Sequence, residues 1–353
     1  MSGHPADALL DPAPVRTHVG WTFASRAVSH LLGLGVAFVL VRAFDKDGLG
    51  ALHFLPLLPQ TILVFGELGL AVGALLELRE HREKAEKLLS SSATLGFLLG
   101  CGYFVATAFA LHLHPEWLQG YRRSHALLAL AAMPPSLVTV ILQPQLLPLG
   151  FLRTFHALPV AFNLLRLAGG VATWFLVGDR LGFFLAWLLG MNLLQAATVV
   201  VTVCRKLPLR PRLDTASLRG ALRQGLPTVP TTAAAFVNTR SDGYLLQGLS
   251  TSAQLGLYGF LVAQAEHLFI LPNAVSQGLL SRFTAPGGTD PSVTTARTCR
   301  HVVFLGLPAS ALSMGVLSIL LRGGSIRWAE AWFPCLLLLG AVQFLSVTKV
   351  LTA

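Results

Sequence analysis

The chain has 353 residues, 54% of them hydrophobic and only 12% charged, with a mean hydropathy of +0.65. Soluble domains carry roughly 25% charged residues, so the composition excludes a cytosolic enzyme, a disordered chain and a small disulfide scaffold, and points to a membrane protein. The 26 Lys+Arg against 16 Asp+Glu give a net charge of +10. No interleaving of aromatic and basic residues of the single-strand-binding kind accompanies that excess. It reads as basic loops meeting anionic membrane lipids, and nucleic acid is not an expected partner.

Residues 1–19, with Pro5, Pro12 and Pro14 and without the basic start, apolar block and cleavage site of a signal peptide, read as a short cytoplasmic tail. Stretches long enough to cross a bilayer, about 20 apolar residues each, follow near 20–41, 51–77, 90–112, 125–147, 157–178, 181–203, 226–248, 255–279, 301–321 and 329–350. The predicted fold is therefore all-α, a polytopic bundle of about ten transmembrane helices. Counting Lys and Arg on alternate sides puts 16 on one (Arg16; Arg79, Arg82, Lys84 and Lys87; Arg153; six from Arg205 to Arg223; Arg282, Arg297 and Arg300; Lys349) and 7 on the other. The positive-inside rule then places the N-terminus in the cytoplasm, and an even number of spans returns the C-terminus there.

Leu49-Gly50-Ala51-Leu52-His53-Phe54-Leu55 opens the second span, and Leu255-Gly256-Leu257-Tyr258-Gly259-Phe260-Leu261 opens the eighth, an offset of 206 residues. A charged loop follows each of these spans on the same side. The pattern predicts a parallel repeat about an axis along the membrane normal: a six-helix lobe over 20–204, a basic cytoplasmic linker over 205–225, and a second lobe over 226–353. Mapped back by 206, the last residue falls at position 147, the end of the fourth span, so the second lobe reads as four helices, two short of the first.

Three stretches carry a family resemblance. Leu40-Val41-Arg42-Ala43-Phe44-Asp45-Lys46-Asp47-Gly48-Leu49-Gly50 leads to Phe65-Gly66-Glu67-Leu68-Gly69-Leu70. Gly225-Leu226-Pro227 is followed by Asn238-Thr239-Arg240-Ser241-Asp242-Gly243-Tyr244-Leu245-Leu246 and Gly256-Leu257-Tyr258. Ser346-Val347-Thr348-Lys349-Val350-Leu351 closes the tenth span. In order and spacing they resemble the lipid-linked oligosaccharide flippases of the polysaccharide biosynthesis type (O-antigen translocases, Wzx type). These belong to the superfamily that also holds multidrug/toxin extrusion antiporters. Two departures stand out: the family usually has twelve to fourteen helices, and Glu67 stands where Asp is common. The resemblance implies a two-lobed bundle around a cavity that opens alternately to either side of a bacterial inner membrane. Its substrate would be a polyprenyl-pyrophosphate-linked oligosaccharide moved outward, with polysaccharide assembly proteins as partners and no covalent chemistry.

Charges inside spans are costly, about 2.5–3.5 kcal/mol on insertion scales, and normally face the bundle interior or water. Arg26, Arg166 and Arg240 are the three basic residues within spans. They are candidate cavity cations, since guanidinium donors suit phosphate groups; the alternatives are snorkelling for Arg26 and structural pairing for the others. Glu67, Asp242 and Glu266, with His267 beside the last, are candidates for proton coupling, the more common fate of such acids being an ion pair. His30, one helical turn from Arg26, and the amides Asn238 and Gln264 are candidate polar cavity residues; Gln60, Asn163, Asn273 and Gln277 carry the same chemistry, although most such amides join helices. Cys101, Cys204, Cys299 and Cys335 show no metal or disulfide spacing, and His112 and His114 point apart on a regular helix. With no phosphate loop, nucleotide fingerprint or nucleophile elbow, no cofactor, metal or catalytic residue is expected.

Rival readings are a small-molecule antiporter of the same superfamily, an integral-membrane glycosyltransferase or polymerase on the same lipid carrier, and a non-transporting remnant. An antiporter exporting small amphipathic molecules is expected to carry abundant cavity acids and few arginines, the reverse of the balance here. A transferase is expected to carry a sizeable exoplasmic loop, whereas the longest here runs from about His114 to Ser124.

Overall fold

The computed structural model describes residues 15–118, 120–176, 178–266 and 328–351, with isolated helical positions between 300 and 318. Among the described residues there is no strand. The α-helices, in chain order, are α1 (Val15–Ala43), α2 (Lys46–Gly66), α3 (Leu70–Glu80), α4 (Ala85–Leu113), α5 (Arg123–Leu130), α6 (Met133–Leu142), α7 (Leu152–Phe175), α8 (Arg180–Cys204), α9 (Thr215–Gly225), α10 (Val229–Leu249), α11 (Ser252–Glu266) and α12 (Trp328–Leu351). Six segments are long and apolar enough to cross a membrane: Ala24–Ala43, Lys46–Gly66, Ala85–Leu113, Arg123–Leu146, Leu152–Phe175 and Arg180–Cys204. They match the first six predicted spans, and the chain is a polytopic helical membrane protein.

Three expectations need correction. The second span, predicted unbroken over 51–77, stops at Gly66, because Leu68 (φ 53°) and Gly69 (φ 69°) turn left-handed before α3 begins. The fourth span is likewise two helices, α5 and α6, with Pro134 and Pro135 in the first turn of α6, where the missing amide donors cost no intrahelical bond. The basic segment 205–225, predicted as a loop, contains α9. Its N-cap is Asp214, whose carboxylate accepts the Ser217 N–H (3.4 Å) and the Ser217 hydroxyl (2.5 Å). The seventh predicted span coincides with α10, but the run Asn238–Asp242 keeps α10 out of the strongly apolar set. The later part of the eighth span and nearly all of the ninth lie outside the described residues.

The chain forms two compact units, with the boundaries falling inside α1 and α2. The first comprises Phe54–Leu249 with the described residues of Met1–Ser25. Its core gathers the same ends of six helices: Leu70, Ala74 and Leu78 of α3, Leu88 and Leu89 of α4, Ile141 and Leu142 of α6, Leu158 of α7, Val199 and Val203 of α8, and Leu218 and Ala221 of α9. All lie on the side to which the basic loops are assigned by sequence. Helix α9 closes this core by crossing α3 at small residues. Gly69 and Gly73 face Ala221 and Gly225, four apart on each helix, so closely that a methyl added at Gly73 would lie 2.7 Å from the Ala221 carbonyl carbon. The segment leading to α9 is fixed by α4: the backbone N–H groups of Arg210, Arg212 and Asp214 donate to Ser90 Oγ (3.1 Å), Thr94 Oγ1 (3.3 Å) and Ser91 Oγ (2.9 Å). At the opposite end, His125 Nε2 bonds Asp179 Oδ2 at 2.9 Å, while Asp179 Oδ1 caps α8 through the Gly182 N–H (3.0 Å).

Helix α10 belongs to the first unit as well. The Tyr244 hydroxyl donates to the Leu57 carbonyl (3.1 Å) and meets Thr61 Oγ1 at 2.5 Å, Tyr121 donates to Gln247 Oε1 (3.3 Å), and Phe54 stacks on Tyr121 with ring centroids 5.7 Å apart.

The second unit comprises Arg26–His53 and the described residues of Ser250–Ala353. Here the start of α2 crosses α11. A Cβ on Gly50 would meet Ser252 (Oγ at 2.6 Å), one on Gly256 would meet the Lys46 carbonyl and Gly50 N (2.7 Å), and one on Gly259 would meet His53 (Cβ at 2.9 Å). Lys46, Gly50 and His53 plus 206 give Ser252, Gly256 and Gly259. The repeated motif therefore packs on its own copy with equivalent positions exchanged, the reciprocal form of contact that a two-fold axis produces.

Candidate functional site

A cavity of about 170 Å³ opens between α7 and α8, lined by Phe162, Asn163 and Arg166 of α7 and by Leu188, Met191, Asn192 and Gln195 of α8. Arg166 and Asn192 lie near the middles of these 24- and 25-residue helices, at the depth where a charge is most expensive. The Arg166 side chain is accessible and forms part of the cavity wall. No carboxylate lines this cavity, and Arg166 has no hydrogen-bond or ion-pair partner among the described residues.

The local sequence explains the placement. Asn163 and Arg166 are three apart, as are Asn192 and Gln195, so each pair shares one helix face. Helices α7 and α8 approach closely beside this face because Gly169 leaves room for the Trp187 indole, whose Nε1 donates to the Leu165 carbonyl (3.0 Å). Two amides are held by neighbours. Gln195 Nε2 donates to Gln143 Oε1 (3.2 Å); Asn192 Nδ2 donates to the Leu188 carbonyl (2.8 Å) and its Oδ1 accepts from Ser136 Oγ (3.2 Å).

A second cavity of about 130 Å³ adjoins the first across Leu188 and Asn192, which line both. Its walls come from α2 (Pro56, Pro59, Gln60 and Leu63), α5, α6 and α8, and are apolar except for Gln60, Ser136 and Asn192. Pro56 and Pro59 lie inside α2, where each removes one intrahelical bond beside the cavity.

Of the predicted site residues, the structure brings Arg166 into this site and no other predicted cation or acid with it. Arg240, Asp242 and the exposed Asn238 lie within two turns of α10. Glu67 sits in the break between α2 and α3, half-buried, with Oε2 lacking a hydrogen-bond partner. In the second unit, Arg26 and His30 are half-buried on α1, and Gln264 and Glu266 lie in the last turn of α11, with Gln264 Oε1 buried and unbonded. His267 lies outside the described residues. Sequence reasoning passed over Ser136, Gln143, Asn192 and Gln195; the available signal was the polar i, i+3 pair at the centre of each apolar span. No group of three or more His, Cys, Asp or Glu that could hold a metal occurs among the described residues, and Cys101, Cys204 and Cys335 are free thiols.

The architecture recurs in solved transporters. One is an inward-facing multidrug resistance MATE family transporter of the MOP superfamily, with TM-score 0.63 and 15% identity over 91% of this chain and 78% of that one. Another, a MOP superfamily transporter from Pyrococcus furiosus described by the reverse polarity of its binding pocket, gives 0.59 at 14% identity over 99% and 80%. An outward-facing MATE transporter gives 0.56 at 15% identity over 99% and 80%. The chain shares the fold of these solved structures. At these identities the likeness is one of fold. No protein-family model and no curated protein matches the chain.

Proposed function

We propose that the protein is a secondary-transporter-type flippase that carries an anionic lipid-linked saccharide across a bacterial inner membrane by alternating access, without covalent chemistry. The observation that carries this reading is Arg166: an accessible guanidinium near the middle of its span with no acid in its cavity, suited to a phosphate and repellent to a cation. Solved neighbours include multidrug resistance transporters, and a cationic drug would face the wrong charge at this position. The fold supports alternating access, since solved neighbours of the same architecture are inward-facing and outward-facing. In this reading 20–204 and 226–353 are the two lobes, as the reciprocal Gly50–Gly256 crossing supports, and both termini are cytoplasmic.

The test is complementation of a bacterium lacking a saccharide flippase, with wild type, Arg166→Ala and Arg166→Lys at matched membrane abundance. Restored surface polysaccharide that Arg166→Ala loses and Arg166→Lys partly keeps supports the assignment. Resistance to cationic amphiphiles without restored polysaccharide refutes it in favour of an antiporter.

A further inference from the structure

Several threonine hydroxyls within the spans satisfy themselves locally, whereas Ser29 Oγ and Ser92 Oγ are buried without a hydrogen-bond partner. Thr61, Thr139, Thr173, Thr198 and Thr202 each donate to the carbonyl four residues back, at 2.7–2.9 Å. The amides of Asn192 and Gln195 are likewise bonded, and Gln145 Nε2 donates to the carbonyls of Ala71 (2.9 Å) and Ile141 (3.3 Å) while its Oε1 is buried without a partner. Gln60, Asn163 and Arg166 differ: none has a hydrogen-bond or ion-pair partner among the described residues, and all three line the two adjoining cavities. Away from bulk water an unsatisfied polar group costs about 1–3 kcal/mol, more when charged. Such groups hold water or a ligand in the working protein.

We infer that the two cavities form one bipartite site for a glycosyl phosphate, with the anionic oxygens on Arg166 and Asn163 and the first sugar ring on Gln60 and Ser136 beyond the Leu188–Asn192 waist. The division of chemistry follows from the walls. One chamber holds a lone guanidinium beside an amide; the other offers a neutral amide, a hydroxyl and apolar surface from Pro56, Pro59 and Leu63, which suits the polar edge and apolar face of a sugar ring. Volumes of about 170 and 130 Å³ together reach the lower end of the range of roughly 300–1,000 Å³ for small-molecule sites. That is room for a phosphate and one ring, so the rest of the glycan and the prenyl chain must lie outside. A single cation implies recognition of one phosphoryl group at this position.

This inference rests on the anionic-cargo reading above, and the experiment separates the two. Full-length protein in nanodiscs is titrated with four probes sharing a farnesyl tail: farnesyl phosphate, farnesyl phosphoryl glucose, neutral farnesyl glucoside, and farnesyl trimethylammonium. Wild type is expected to bind the glucosyl phosphate tightest. Arg166→Gln weakens both phosphate probes by about tenfold or more and leaves the glucoside unchanged. Gln60→Leu and Ser136→Ala each remove roughly 2- to 10-fold from the glucosyl phosphate alone. Thermal unfolding confirms that each variant is folded, and Arg166→Lys, keeping the charge without the fork, is expected to retain part of the phosphate affinity. If Gln60→Leu and Ser136→Ala leave the gain from the sugar intact, the bipartite site is overturned while the anion site stands. If Arg166→Gln leaves phosphate affinity unchanged, or the trimethylammonium probe binds best, the anionic-cargo reading itself falls.

Discussion

Gly73→Ala and Gly190→Ala are the same chemical change in two helices, and their comparison isolates the crossing of α3 and α9. In a helix interior either substitution gains about 0.5–1 kcal/mol from reduced unfolded-state freedom and better propensity. At Gly190 of α8 the new methyl meets nothing within 4 Å, so that gain is retained. At Gly73 the methyl would collide with the Ala221 carbonyl oxygen and lie 2.7 Å from its carbon and 3.1 Å from Gly225 N. All three are backbone atoms, so relief requires α9 to move away from α3. Overpacking of this kind costs about 1–3 kcal/mol, and separating the helices also loosens Leu218 and Ala221 from the core. The expected outcome is a small rise in the unfolding midpoint for Gly190→Ala and a fall for Gly73→Ala. At roughly 2–4 °C per kcal/mol for 150–250 residues, the two midpoints should differ by several degrees. The assay is tryptophan-fluorescence unfolding in detergent at one fixed scan rate. A Gly73→Ala midpoint equal to or above that of Gly190→Ala would refute the close crossing.

Replacing Ser90, Ser91 and Thr94 together by Ala removes the three acceptors of the 210–214 backbone, each worth about 0.5–1.5 kcal/mol; limited trypsin digestion should then cut after Arg212 several-fold faster, Arg210 being protected by Pro211, and an unchanged rate would place that segment elsewhere. The hydrogen bond from His125 holds the Asp179 carboxyl below the usual carboxylate range, helped by the Gly182 N–H. A depressed acid stabilises the fold above its unfolded pKa of about 3.9 and loses that contribution as pH falls through the folded value. The wild-type midpoint should therefore drop on acidification below about pH 4 more steeply than that of Asp179→Asn, with parallel curves counting against the pair. Tyr244→Phe removes both hydroxyl contacts to α2 while keeping the ring against Phe54, and should lower the midpoint modestly, by the equivalent of about 0.5–1.5 kcal/mol, with no change meaning that the hydroxyl is not engaged. Gly50→Ala and Gly256→Ala each force the same α2–α11 crossing apart, so the double variant should cost clearly less than the sum of the singles in a double-mutant cycle. Additive costs would show two independent sites.

Long apolar runs made the six strongest spans legible, because the length of hydrocarbon to be crossed fixes the length of the helix. The break at Leu68–Gly69 was not legible from hydropathy, since 51–77 is apolar on both sides of it. The sign was instead the small-residue spacing of Gly69 and Gly73, whose meaning depends on partners far along the chain, Gly225 and Ala221 respectively. Helix α9 was hidden for the opposite reason. Its eleven residues are too few and too charged to form a helix on propensity alone, and it exists because Leu218, Ala221 and the Asp214 cap are fixed by α3 and α4. The repeat was visible as a motif echo, but only the structure shows the echo packing on itself.

The candidate site was half legible, and the reason lies in what a sequence records about a polar side chain. Cost at mid-membrane depends on residue type and depth, both readable, and that argument singled out Arg166. Whether the cost is met depends on neighbours in space. Asn163 and Asn192 are the same residue type, each near the centre of an apolar helix, yet Asn192 reaches the Leu188 carbonyl and Ser136 while Asn163 reaches nothing among the described residues. Gln60 and Gln145 also differ, one exposed at a cavity wall without a partner among the described residues, the other wholly buried with its Nε2 bonded to two carbonyls and its Oε1 unbonded. Depth therefore nominates residues, and satisfaction sorts them. The bonded amides join helices; Gln60 and Asn163, without partners among the described residues, line with Arg166 a pair of adjoining chambers, where a ligand or water can supply what the protein leaves unmade.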